Sequence, residues 1–202
     1  MSSFVGHSLV GLTIGITASS NPISRERHYN FLWLGWLVIV ALAPDLDYIV
    51  PFLHPRSHEG IRITHSLFFC QVLPILSLVY LYFRGASKNI LWQSGLQLVS
   101  AGFSHIALDF FVGVTALPLF FPLSSEVFKL TFGLLPSAGK LSLFNYYLYF
   151  NLGIELGILV PLSLCCYYLK KSQKITAKTC LIVCSLFLIS ARFMYWAYGL
   201  SR

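Results

Sequence analysis

Six apolar stretches divide this chain, and the polar links between them carry no soluble domain, internal repeat or low-complexity tract. The stretches run over residues 4–18, 31–52, 65–83, 90–121, 144–169 and 179–198. About 20 helical residues cross the hydrocarbon of a bilayer, so runs of this length predict membrane helices. The first is short and glycine-rich. The fourth is too long for one straight span, and Gly113 and Pro118 are expected to end or break it near the membrane surface. Trp33 and Trp36 near the start of the second carry an interfacial signature.

Composition agrees. Charged residues make up 10% of the 202, against about 25% in an ordinary soluble domain. So few cannot cover a globule with water-seeking groups. This excludes an ordinary soluble enzyme, a disordered chain and a nucleic-acid binder with a basic face. The expected fold is all-α: a polytopic membrane helical bundle of about six transmembrane or membrane-embedded helices, forming a single integral-membrane domain over 1–202. No Lys or Arg precedes Arg25, so the first stretch lacks the basic region of a signal peptide and is expected to belong to the mature protein. The five cysteines lie in apolar runs without metal or redox spacing and read as packing residues.

The net charge of +7 gathers most densely at Lys170, Lys171, Lys174 and Lys178, between the last two stretches. Such a link marks the cytoplasmic side. With six spans, that face carries eight Lys and Arg and the opposite face five, a bias that puts both termini outside the cytoplasm. Membrane lipid is the expected partner, and nucleic acid is not.

Scarce charges make each one informative. Ionisable groups at membrane depth are expensive unless paired or hydrated, and they mark function by default. His7 stands at the start of the first stretch. Asp45 and Asp47 lie near the end of the second, after Pro44, which disfavours helix at Ala43. His65 opens the third, His105 and Asp109 lie late in the fourth, and Glu155 early in the fifth. Alternating span direction brings all of them toward one membrane face, opposite the lysine-rich link. His105 and Asp109, at i and i+4, share a helix face, as do Asn151 and Glu155. Gly11 and Gly15 share a face with His7 and would admit a neighbouring helix closely. His28, His54 and His58 sit in polar links and read as solvated.

Imidazoles and carboxylates without a nearby thiolate suit a divalent metal: zinc first, with manganese or iron compatible. His7, Asp45, Asp47, His65, His105 and Asp109 are the candidate ligands. A metal would offset the buried carboxylates and make bound water acidic. Asp45, Asp47, His65 and Glu155 are the candidate acid/base groups. Each also has a plain structural reading: Asp45 and Asp47 as a span cap, His65 as part of a Thr-His-Ser turn, Glu155 as a partner of Arg192 or Lys140.

At these residues the chain resembles the YdjM family of inner-membrane metal-dependent hydrolases. The matching pieces are Gly6-His7, Pro44-Asp45-Leu46-Asp47, Thr64-His65-Ser66, Ser104-His105-Ile106-Ala107-Leu108-Asp109 and the run from Gly113 to Pro122, so the resemblance covers roughly residues 4–123. Family members carry His-Arg-Gly-x-Thr-His-Ser before the third span; here Gly60 holds the first His position, and His58 lies two residues earlier. A weaker similarity is to zinc-dependent phospholipases C and related single-strand nucleases. It lies in the order His7, Asp45 or Asp47, His65, His105 with Asp109, then Asn151 with Glu155, where Asn151 replaces a histidine.

The family resemblance implies a metal-dependent hydrolase and no substrate. The weaker similarity favours phosphoester chemistry on a lipid headgroup, and the expected function is a membrane-embedded metal-dependent hydrolase acting on a lipid-like or membrane-proximal ester or phosphoester. The site would lie in the inner membrane, toward the non-cytoplasmic face. Two other classes fit the same residues: a non-catalytic membrane scaffold keeping a structural metal, and a small proton-coupled transporter using Asp109, His105 and Glu155 as a relay.

Overall fold

Four of the helices begin where a short polar side chain takes a free backbone N–H. Ser3 accepts from Gly6 N at 2.9 Å and starts α1 (Phe4–Thr17). Ser87 starts α4 (Lys88–Val112), Asn145 α5 (Tyr146–Lys171) and Thr176 α6 (Ala177–Tyr198) in the same way. Between α1 and α4 lie α2 (Arg27–Leu42) and α3 (Val72–Phe83). The computed structural model describes residues 2–18, 27–48, 62–138, 144–172 and 174–200, with the backbone alone for 27–30 and 48. Among these residues there are six α-helices and no β-strand, so the all-α membrane bundle is the observed fold.

Three helices, α4, α5 and α6, are long and apolar enough to cross a membrane. Others are shorter than the apolar runs suggested. The second stretch is helical to Leu42 and then tightens into a 3-10 turn over Ala43–Tyr48, the opening expected at Pro44. The third is not one helix: 3-10 turns at Ile63–His65 and Phe69–Gln71 precede the 12-residue α3. A long-range bond explains the break. Leu67 N donates to the carbonyl of Leu119 at 3.0 Å, which takes that amide out of any helical ladder. The fourth stretch ends at Gly113, whose φ of +65° is the left-handed conformation that favours glycine at a helix C-terminus.

Packing sets the layers. α1 lies against α2, α4 and α5, while α6 packs on α5 at the edge. The close approach of α2 needs Gly11: a Cβ there would sit 3.0 Å from the Leu37 carbonyl and 3.1 Å from Ala41 Cβ. One apolar cluster (Trp33, Leu37, Val40, Ala41, Leu98 and Ala101) joins α2 to α4. A second (Leu108, Val112, Ile154, Ile158 and Ala197 among them) joins α4, α5 and α6. The outward side chains of α6, such as Leu181, Phe187 and Leu188, are exposed, as a lipid-facing surface requires.

The indoles of Trp33 and Trp36 both find partners inside the bundle. Trp33 is buried and its Nε1–H donates to Gln97 on α4; Trp36 Nε1–H donates to Ser77 Oγ on α3 at 3.0 Å. Surrounded by apolar side chains, an indole N–H gains more from a partner inside the bundle than it would keep unpaired. At the opposite end from the candidate site, Lys170 Nζ donates to the carbonyls of Ile16 and Ala18 and covers the C-terminus of α1.

Candidate metal centre

Antiparallel helices deliver the ionisable residues to one end of the bundle. His7 comes from the first turn of α1, Asp45 and Asp47 from the 3-10 turn after α2, and His65 from the turn before α3. His105 and Asp109 come from one face of α4, and Glu155 from α5. All seven are buried, with exposures of 2% or less.

Four of them meet. Asp45, His65, His105 and Asp109 each offer one ligand atom, and these atoms all lie within 4.8 Å of one another. His65 Nε2 is 3.1 Å from His105 Nε2 and 3.3 Å from both Asp45 Oδ1 and Asp109 Oδ2. His105 Nε2 is 3.7 Å from the same two oxygens. A tetrahedral ion with bonds of about 2.0–2.1 Å would hold its ligand atoms about 3.3 Å apart. The five separations that involve a histidine, 3.1–3.7 Å, scatter about that value.

The ring protons confirm the polarity of the pocket. His105 Nδ1–H donates to the Ala41 carbonyl at 2.8 Å. Thr64 has one hydroxyl proton, and it donates to Asp47 Oδ2 at 2.9 Å, because a carboxylate only accepts. The same hydroxyl oxygen therefore accepts from His65 Nδ1–H, 3.0 Å away. With both Nδ1 atoms donating outward, both Nε2 atoms turn lone pairs inward. With both rings neutral, two imidazole nitrogens and two carboxylate oxygens then face one another, and the donor reaching them is Arg62, 3.3 Å from Asp45 Oδ1. Asp109 Oδ2 has no hydrogen-bond partner among the described residues. Such a set is stable around a cation and unfavourable without one. The donors present fit a divalent metal.

Asp47 and Glu155 stand one layer further out than the sequence reading placed them. Asp47 is taken up by Arg62, whose Nε–H donates to Oδ2 at 2.9 Å and whose Nη2–H donates to Oδ1 at 2.5 Å, and by Thr64. Arg62 also reaches Asp45 Oδ1 at 3.3 Å and is itself buried. Glu155 is held by the N-terminal serines. It accepts from Ser2 Oγ and from Ser3 N at 3.0 Å, while Arg192 lies over the ring of Tyr195 and Lys140 lies outside the described residues. Ser2 N in turn donates to Asp109 Oδ1 at 2.8 Å. Asn151 points elsewhere, donating to the Ser137 carbonyl at 2.7 Å, so the order shared with zinc phospholipases does not extend to a fifth-helix ligand pair. His54, His58 and Gly60 lie outside the described residues.

Arg62, Thr64, Ser2 and Ser3 are the site residues that sequence reasoning passed over. Arg62 was legible only as a loop charge, although it stands three residues before His65. Ser2 and Ser3 carried no signal of a role at the site, since their contacts there cross more than 100 residues of sequence.

No curated protein and no solved structure matches the chain. A family model does, and over far more than the stretch from which the resemblance was read: it spans residues 1–197, including the α5 and α6 region. With that match across nearly the whole chain, and an apolar helical bundle beneath it, the protein belongs to the YdjM inner membrane protein family.

Proposed function

We propose that this protein is a membrane-embedded, metal-dependent hydrolase acting on a lipid-like or membrane-proximal ester or phosphoester, with its site toward the non-cytoplasmic face. The observation that carries the reading is the convergence of four ligand atoms from Asp45, His65, His105 and Asp109 at separations that suit one divalent cation. These four would hold the ion, zinc being the donor set's best match. A bound divalent ion supplies Lewis acidity and brings water toward ionisation near neutral pH.

The remaining residues prepare that chemistry. Asp47, acting through the Thr64 hydroxyl, orients His65 and makes its Nε2 more basic. Ala41 does the same for His105 through its carbonyl. Arg62 ties Asp45 to Asp47 and offsets part of their charge. Glu155 seats the Ser2–Ser3 segment, whose amide steadies Asp109. An apolar groove of about 760 Å³ runs between α2 and α3, lined by Trp36, Ile39, Leu73 and Leu76 among others. The groove runs along the two helices that precede Asp45 and follow His65 and suits an acyl chain, though no candidate ligand lines it.

The test uses the full chain purified in detergent with any histidine tag removed. Elemental analysis is expected to find a transition metal that is lost in Asp109→Ala. In vesicles, the wild type is expected to hydrolyse members of a panel of lipid esters and phosphodiesters, and Asp109→Ala none. Metal without turnover across the panel would refute the hydrolase and leave a scaffold. Absence of metal would refute the centre itself.

A further inference from the structure

The four-ligand set leaves His7 unexplained. Its side chain is fully buried, and neither ring nitrogen has a hydrogen-bond partner among the described residues. It stacks on His105 with ring centroids 3.9 Å apart. Its Nε2 lies 3.4 Å from Asp109 and 3.9 Å from Asp45. Leaving both nitrogens of a buried imidazole unsatisfied is costly, so the position calls for a ligand.

The oxygens that His7 faces are not those that face the other histidines. Asp109 presents Oδ2 to His65 and His105 and Oδ1 to His7. Asp45 presents Oδ1 to His65 and His105 and Oδ2 to His7. Each carboxylate is therefore turned with one oxygen toward each of two positions. The Ser2 amide uses part of Asp109 Oδ1, but a carboxylate oxygen has a second lone pair to give.

Charge calls for a cation here. Asp45, Asp47, Asp109 and Glu155 are buried together with one guanidinium, Arg62, among the described residues. With neutral imidazoles that leaves three negative charges in an apolar bundle. One divalent ion leaves a net charge of −1 and two leave +1, so the charge calls for a cation without fixing the number.

We propose that the site is a two-ion centre. Asp45 and Asp109 bridge the ions; His65 and His105 complete the first position, and His7 is the protein's own ligand to the second. The second position takes fewer protein ligands and so keeps coordination sites open, as a position that receives water or a substrate oxygen must. This rests on the metal reading of the site and deepens it.

The test is a manganese(II) titration of the tag-free, chelator-treated full chain in detergent. Bound ion is counted by elemental analysis after desalting, and the bound population is read by electron paramagnetic resonance. The wild type is expected to bind two equivalents, with an exchange-coupled spectrum replacing the six-line signal as the second enters. His7→Ala and His7→Gln are each expected to bind one equivalent with the uncoupled signal. Saturation of the wild type at one equivalent overturns the two-ion centre and spares the single-metal reading; saturation at zero overturns both. Two equivalents with no coupling, or two retained by a folded His7 variant, also overturn the proposal. If neither His7 variant folds, the wild-type stoichiometry and coupling decide alone.

Discussion

Removing Arg62 should destabilise the site by an amount that a second substitution partly returns. Arg62 is 3% exposed and bonds Asp47 through two nitrogens and Asp45 through one. Arg62→Met keeps much of the apolar stem and deletes the guanidinium, which leaves two neighbouring carboxylates buried without it. Breaking a buried ion pair from one side costs about 3–5 kcal/mol. For a chain of this size each kcal/mol moves the melting temperature by about 2–4 °C, so a fall on the order of 10 °C is expected. Melting is followed at one fixed scan rate in detergent, with chelator present so that no ion compensates the carboxylates. The informative variant is Asp47→Asn. Alone it destabilises, because Arg62 loses its main partner. Added to Arg62→Met it stabilises, because it removes a carboxylate left with the Thr64 hydroxyl and no guanidinium to offset its charge. That reversal of sign is the signature of charge rather than packing. If Asp47→Asn lowers the melting temperature equally in both backgrounds, the electrostatic account of Arg62 is wrong.

Three further outcomes follow from the same geometry. His105→Ala deletes an inward Nε2 and its bond to Ala41; metal retained after desalting should fall to a small fraction of wild type while the far-ultraviolet helix signal stays. Thr64→Val keeps the shape of the side chain and cuts the link from Asp47 to His65; metal affinity should weaken about 10–100-fold, and Thr64→Ser should restore it, as read by competition with a fluorescent chelator. Glu155→Gln weakens the acceptor for Ser2 and Ser3; hydrogen exchange of the first turn of α1 should speed up several-fold while that of α4 is unchanged.

How far the site could be read in the sequence depended on the scale of the contact. His105 and Asp109 were legible because helix geometry alone puts i and i+4 on one face, and an apolar run leaves such a pair little reason to exist without a partner. Convergence on one end was legible because spans alternate. Asp45 and Asp47 show where this stops. In a 3-10 turn of three residues, positions two apart point about 120° away from each other, so one carboxylate enters the cluster and the other turns to Arg62 and Thr64. Which of them does so is decided by the segment carrying His65, which returns from far along the chain. The third stretch failed for a related reason. Its apolar residues read as one helix, yet the Leu67–Leu119 bond and the Thr64–His65 turn impose another backbone, and local propensity cannot anticipate a partner 52 residues away.

Ser2 and Ser3 carry that point furthest. Short polar residues before a helix predict a cap, and Ser3 is one. That the same two residues also reach α4 and α5 follows only from α1 lying between those helices, which in turn depends on Gly11 admitting α2. The glycine spacing noted for helix approach thus bears on the centre indirectly: it sets the position of α1, and α1 brings both His7 and the amides that hold Asp109. A bulkier residue at Gly11 should therefore disturb metal binding without touching a ligand. Gly11→Val in the folded protein is expected to weaken the position beside His7 more than the one between His65 and His105. Equal loss at both would mean that α1 does not act as the independent wall of the site.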